Sequence, residues 1–548
     1  MASLDLSSQP SVSSSNEVEE VSKVQPYNND NESLESQLRR EFTIEDALMI
    51  SANEEQNDIE TQSQPEPTIL EKVYSHKSST GDEPAQLDLP PDGGYGWVCC
   101  VCSGLVFFTT WGSNSAFGVY LSYYINNDVF PGATRMDFAW IAGIFTCCVS
   151  IFSPVALTMD KLIGMKPTMS IAIVMNFIGY MLASFATKLW QLYICQGVVV
   201  GSAYSLIFVP ATTVVPNWFL KKRSLASGIM CTGTGLGGLF YSLTVNAMIQ
   251  KTGDQRWSLR FVAITTTIIM IIAVTFIKRR NPPPKPKLSF ANFFKILGSM
   301  FNPHVLVKGK LWYMSFWFCL TMLGYSITLF SYASAATALG LSQHQASVLT
   351  AILNTAQALG RPSMGFIADW WVGRINYTMI LNGTVMVFVF AFWMQARSFA
   401  ALLLCGICLG ATLGVGNVMN PVLAADAFLP EEFACAWAIM NIWQGVFVMF
   451  SEVIALSLED TALTNPFQHA QIFAGFMFFA GLLCLIPLRE YFVKKELKKR
   501  SLTLEKLSFS GGKADSTDKE SDIKNDAKFV DLLKKTSYWK RALYPIKV

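Results

Sequence analysis

From residue 97 onward the chain alternates between long apolar runs and short polar connections. Each run approaches the ~20 apolar residues that carry a helix across a bilayer. The pattern predicts twelve such helices, at 97–122, 137–158, 166–186, 189–213, 224–249, 257–277, 311–338, 344–368, 376–396, 399–425, 433–457 and 467–488. Residues 1–89 lack any apolar period and are rich in Ser, Glu, Gln and Asn, too poor in apolar surface to fold alone. Within them only Leu34 to Ile50 could form a short amphipathic helix. The fold class that follows is an all-α membrane protein. Twelve transmembrane helices fall into two pseudo-symmetric six-helix bundles, flanked by disordered cytoplasmic tails.

The longest internal connection, 278–310, opens Lys278-Arg279-Arg280-Asn281-Pro282-Pro283-Pro284 and separates six helices from six. Its prolines predict an extended, semi-rigid linker. The expected domains are an N-tail (1–89), an N-terminal bundle (90–277), the linker (278–310), a C-terminal bundle (311–488) and a C-tail (489–548). The even-numbered connections carry most of the Lys and Arg: Lys161 and Lys166, then Lys221, Lys222 and Arg223, then the linker, then Arg374. That bias places them and both tails on the cytoplasmic side. The basic run Lys494, Lys495, Lys498, Lys499 and Arg500 would attract an anionic leaflet.

Composition narrows the classes. The chain is 51% hydrophobic and 15% charged, against about 25% charged in soluble domains, so lipid is its solvent. All twelve cysteines lie in or at the ends of apolar runs, as buried small hydrophobes and not as a disulfide or metal framework. No metal or cofactor is expected. There is no basic stripe with interleaved aromatics for nucleic acid. No phosphate-binding G-x-x-x-x-G-K-[ST] segment is present, which excludes an ATP-driven pump within this chain. The protein is not expected to be an enzyme.

The halves echo each other. After helix two stands Asp160-Lys161-Leu162-Ile163-Gly164, and after helix eight Gly365-Phe366-Ile367-Ala368-Asp369-Trp370-Trp371-Val372-Gly373-Arg374. Each gives Asp, three residues, then Gly at the end of the second helix of its half. A carboxylate there can meet the N–H groups of a neighbouring helix or a basic residue across an interface, and so latch one access state. The alternative is a solvated turn. The second loop resembles the signature of the major facilitator superfamily.

Three further segments sharpen the resemblance: Asp92-Gly93-Gly94-Tyr95-Gly96-Trp97 entering helix one, Trp218-Phe219-Leu220-Lys221-Lys222-Arg223 before helix five, and Gly360-Arg361-Pro362-Ser363-Met364-Gly365 in helix eight. Together they resemble the monocarboxylate transporter family, and the long acidic N-tail with Gln250-Lys251-Thr252-Gly253-Asp254-Gln255-Arg256-Trp257 resembles its fungal permease-homologue branch. Asp92 is expected to cap helix one, Gly94 to allow a tight bend, and Trp97 to anchor at the interface.

Arg361 stands eight residues before Asp369, about 12 Å along a helix, and so inside the hydrocarbon region. A charge at that depth must face a cavity or a partner. Its planar fork suits a carboxylate, and the resemblance implies a substrate-anion role; the alternative is a structural ion pair. In the proton-coupled members an Asp stands one turn before this arginine, where this chain has Gln357, and helix one has no Lys. Glu452, in apolar helix eleven, is the replacement acid: a proton-exchange group or the static partner of Arg361. Asn114, Asn417 and Trp443 are further pocket candidates, and Asp426 is expected at an interface.

The function expected is transport of a small organic solute by alternating access, most simply a monocarboxylate-like anion, with H⁺ as a candidate co-substrate. The alternatives are a facilitator or exporter of a larger solute (a vitamin such as riboflavin, or an aromatic acid) and a non-transporting sensor. The expected location is the plasma membrane, with a vacuolar membrane as the alternative. The Ser- and acid-rich tails suit a regulatory kinase or ubiquitin machinery.

Overall fold

The structure is a computed structural model that describes residues 90–282, 286–509 and 538–547. Among them all regular structure is helical and no strand occurs. The whole N-tail, with the segment Leu34 to Ile50, and residues 510–537 lie outside the described residues.

Nine helical runs among the described residues are long and apolar enough to cross a membrane. They are α1 (Tyr95–Asn126), α2 (Arg135–Leu162), α4 (Leu189–Trp218), α6 (Gln255–Phe276), α7 (Gly309–Ala338), α9 (Arg374–Trp393), α10 (Phe399–Ala427), α11 (Pro430–Ser457) and α12 (Gln468–Phe509), whose membrane-crossing run lies within Gln468–Lys498. Three helices richer in polar or small residues pack among them: α3 (Met165–Ala183), α5 (Arg223–Thr252) and α8 (Gln343–Ile367). Local signals set several starts. Thr134 with Asp137 closes a capping box before α2, and Ser342 with Gln345 does so before α8. Pro430 opens α11 with Glu431 and Glu432 in the first turn, where the helix dipole favours them. Segments wound as π-helix interrupt α1 at Phe108–Gly112 and α4 at Tyr193–Val200.

Two expectations are corrected. The apolar pattern of α12 ends at 488, yet the helix runs on to Phe509. Its continuation is amphipathic: Phe492, Val493 and Leu497 are buried, and Ile546 with Tyr544 covers Val493 and Leu497. The linker is not simply extended. It holds two helices, Phe290–Ser299 and Pro303–Leu306, the second capped by the Asn302 side chain.

Residues 90–94, the linker and residues 538–547 all lie at one end of the bundle, here the tail-side end; the other is the far end. The central crossing joins α5 to α8, between the first and second halves of the chain. Here glycine is required. A Cβ on Gly228 would stand 2.3 Å from the Arg361 carbonyl oxygen, and one on Gly365 would stand 2.1 Å from that of Ser224. Bare backbone lets the two helices touch, as small residues do in membrane helix pairs.

Candidate functional site

Arg361 is 1% exposed and lies on the α8 face that meets α5. Its Nη1 donates to the Cys231 carbonyl of α5 at 2.6 Å. Its Nη2 donates to Gln357 Oε1 at 2.7 Å and to the Tyr325 hydroxyl of α7 at 3.3 Å. Its Nε has no partner and faces Gly414, whose Cβ, if present, would stand 2.8 Å away. The guanidinium therefore touches only neutral acceptors among the described residues. Glu452 is not its partner, which corrects the static-pair expectation. That carboxylate is half-buried on the Ser451–Ser457 segment of α11, packed against α2 and α7, and has no hydrogen-bond or ion-pair partner among the described residues.

Gln357 joins the arginine cluster through its oxygen: Oε1 also accepts from the Tyr325 hydroxyl at 3.2 Å, while its buried Nε2 has no partner among the described residues. Asn417 lies close by, on α10, where its carbonyl accepts from the Cys231 thiol. The other pocket candidates are elsewhere. Asn114 lines a cavity within the first half, with Ser113, Phe117, Tyr120, Phe145 and Tyr180. Trp443 packs in a ring cluster with Trp312, Phe316 and Phe447. Tyr332 donates its hydroxyl to the Leu402 carbonyl inside the core. The buried amide of Asn420 has no partner among the described residues.

Below Arg361 a charged cluster ties the halves together at the tail-side end. Asp369 Oδ2 accepts from the Leu225 N–H at 2.9 Å, at the start of α5, where the helix dipole favours an anion. Its Oδ1 accepts from Arg374 Nε at 3.0 Å. Arg374 also donates to both carboxylate oxygens of Asp426 and, across the halves, to the Leu220 carbonyl at 2.6 Å. Arg223 of α5 pairs with Asp426 of α10 in the same cluster. Higher up, Ser227 donates to the Val418 carbonyl and Ser150 to Gln444 Oε1. At the far end the hydrogen bond between halves among the described residues is Gln343 Nε2 to Ser122 Oγ, exposed and 3.3 Å long. Closure is thus concentrated on the tail side.

The echoed loops adopt matching backbones. Gly164 stands at φ 98°, ψ 161° and Gly373 at φ 92°, ψ 150°, each the residue before the next helix. A Cβ is disfavoured at such positive φ. Their acids differ in partner. Asp160 pairs with Arg279 of the linker at 2.8 Å, within the first half, and Arg279 also donates to Thr213. Asp369 reaches across to α5.

Asp92 does not cap α1, contrary to expectation. The residue at that cap is Gly94, at φ 59°, without a side-chain bond. Asp92 instead accepts from the Leu220 N–H at 2.7 Å and the Lys222 N–H at 3.1 Å. Tyr95 donates to the Phe276 carbonyl, and Trp97 stacks at a tilt on Phe219, 4.7 Å between centroids. The segment fastens the α4–α5 connection.

Sequence reasoning missed Arg223, Arg279 and Tyr325 as site residues. A basic residue opening α5 beside a predicted interface acid, Asp426, was the available signal for the first. It also missed that residues 538–547 fold back here: Lys547 Nζ donates to the Trp370 carbonyl at 2.7 Å, and Arg541 pairs with Glu490.

The family model described as Major Facilitator Superfamily matches residues 99–452 and 314–544. A curated relative, the "Uncharacterized transporter ESBP6" of Saccharomyces cerevisiae, is 42% identical over 500 residues, 89% of this chain and 73% of its own length. The "Probable transporter MCH2" of the same yeast is 29% identical, across 74% of this chain and 85% of its own. Among solved structures, the proton:xylose symporter XylE aligns with a TM-score of 0.56 at 14% identity, covering 71% of this chain and 94% of its own, a likeness of fold alone.

Proposed function

This chain belongs to the major facilitator superfamily and is a membrane transporter, not an enzyme; from that premise we propose that it carries a small organic anion by alternating access, with Arg361 as the group that receives the carboxylate. Twelve membrane helices, α1–α12, form two six-helix halves that rock about the α5–α8 crossing. The tail-side end faces the cytoplasm, as the Lys and Arg bias of its connections supports. On this reading the tail-side cluster is the closed cytoplasmic gate, and solute approaches from the far end. The monocarboxylate-like branch and a plasma-membrane location are part of this reading.

The observation that carries it is the guanidinium of Arg361. A buried cation without a counter-charge costs several kcal/mol, in the range of about 3–5 kcal/mol when a buried pair is broken. Its neighbours Cys231, Gln357 and Tyr325 offer only neutral oxygens. A carboxylate on the solute supplies the missing charge through a paired bond. Uptake of radiolabelled carboxylic acids into cells bearing Arg361→Gln, with surface protein matched to the parent, tests this. Loss of saturable uptake is expected; uptake equal to the parent removes Arg361 from the site.

A second reading has its own observation. On the resemblance to the monocarboxylate transporter family, Gln357 stands where proton-coupled members have an acid, and its amide oxygen accepts from Arg361. That favours a facilitator or exporter of a larger organic solute. Glu452 is the acid that coupling would use. Glu452→Gln uptake that no longer depends on external pH supports coupling, whereas parental uptake indifferent to an uncoupler supports the facilitator.

A further inference from the structure

The linker helix Phe290–Ser299 is apolar on two faces. Phe293, Ile296 and Leu297 are half-buried, and the helix packs on Ser153–Leu162, the tail-side end of α2. Met300, immediately after it, is buried, and its carbonyl accepts from the Cys435 thiol. This face pins the helix to the transporter. The other face is largely uncovered among the described residues. Phe290 is 79% exposed and Phe294 54%, and Phe301, in the turn after the helix, is 44% exposed. Positions 290 and 294 lie on one side of an α-helix. Leu288 and Val307 flank it at 76% and 85% exposure.

Charge selects what covers that face. From Lys278 to Lys310 the sequence contains eight Lys and Arg and no Asp or Glu. Lys287 and Lys295, beside that face, are exposed. The helix is tethered between α6 and α7, both of which are membrane-crossing in length and composition. It is therefore held at the membrane surface, not in bulk water. A short helix with aromatic residues on one side and lysines at its edges lies in the headgroup region, drawn by apolar burial and by anionic lipid.

We infer that Phe290–Ser299 is an interfacial helix whose Phe290 and Phe294, with Phe301 in the turn that follows, insert into the leaflet at the tail-side end while Lys287 and Lys295 bind anionic headgroups. The inference rests on the membrane position of the chain and not on its solute.

The test uses the full chain in nanodiscs of phosphatidylcholine alone or with phosphatidylserine, read by amide hydrogen exchange of the peptide spanning 288–301. Exchange is expected to slow in phosphatidylserine by about fivefold per lysine at low salt. The difference should vanish in the double variant Lys287→Glu, Lys295→Glu. Phe290→Ser with Phe294→Ser should raise exchange in both lipids. Peptides from α2 report that the fold is intact in each variant. Equal exchange of 288–301 in the two lipids overturns the inference. So does protection that appears only when a second copy of the chain shares the disc.

Discussion

Replacing Asp426 by Asn tests whether the tail-side cluster is a gate. Asp426 accepts from Arg223 across the halves and from Arg374 within the second half, and all three side chains are 10% exposed or less. Breaking a buried charge pair costs about 3–5 kcal/mol. Asn keeps one acceptor oxygen, so the lower end applies, and only the Arg223 share belongs to the closed arrangement. A loss of about 1.5–3 kcal/mol from that arrangement raises the population of the open one by between about tenfold and 100-fold. Cys231 is a native reporter: it is fully buried, and its thiol meets the Asn417 carbonyl across the same interface. The assay is the rate of alkylation of Cys231 by a membrane-permeant maleimide, resolved by peptide mass spectrometry. Cys100 is the internal control, being fully buried with its thiol donating to the Ala226 carbonyl inside the first half. Faster labelling of Cys231 with Cys100 unchanged is the expected result. A Cys231 rate equal to the parent's would refute the gate, and parallel acceleration of both thiols would show general unfolding.

Gly365→Ala should lower the thermal unfolding midpoint, because its Cβ would fall 2.1 Å from the Ser224 carbonyl oxygen and force α5 from α8, at about 1–3 kcal/mol. Gly118→Ala, which would meet nothing within 4 Å, is the matched control; an equal drop in both would contradict the close-contact argument. Asp92→Ala leaves the Leu220 and Lys222 N–H groups without their carboxylate, at about 1.5–3 kcal/mol for a charged acceptor. Thermal stability and surface abundance should fall while the ranking of transported solutes stays the same; an altered ranking would place this segment in the solute path.

Hydrophobic pattern alone was enough to locate the long helices, because lipid demands that every spanning backbone satisfy itself internally and so writes each span into a contiguous run. The same local logic exposed the twin loops, since Asp160 with Gly164 and Asp369 with Gly373 are short-range spacings confirmed by matching positive-φ glycines. It also singled out Arg361, a charge that an apolar helix has no other reason to hold. Partnerships were not readable in this way. Asp92 serves residues 220 and 222, Asp160 serves Arg279, and Asp426 gathers Arg223 and Arg374. Each joins positions distant in sequence, and a carboxylate's donor is fixed by what packs beside it in space, not by its neighbours in the chain. Likewise the continuation of α12 past 488 and the two-faced linker helix depend on what covers their second faces. Sequence determined which segments are helices and which side chains are costly to bury; only the packing of the two halves decided which of those charges meet a partner and which, like Arg361, are left facing neutral oxygens.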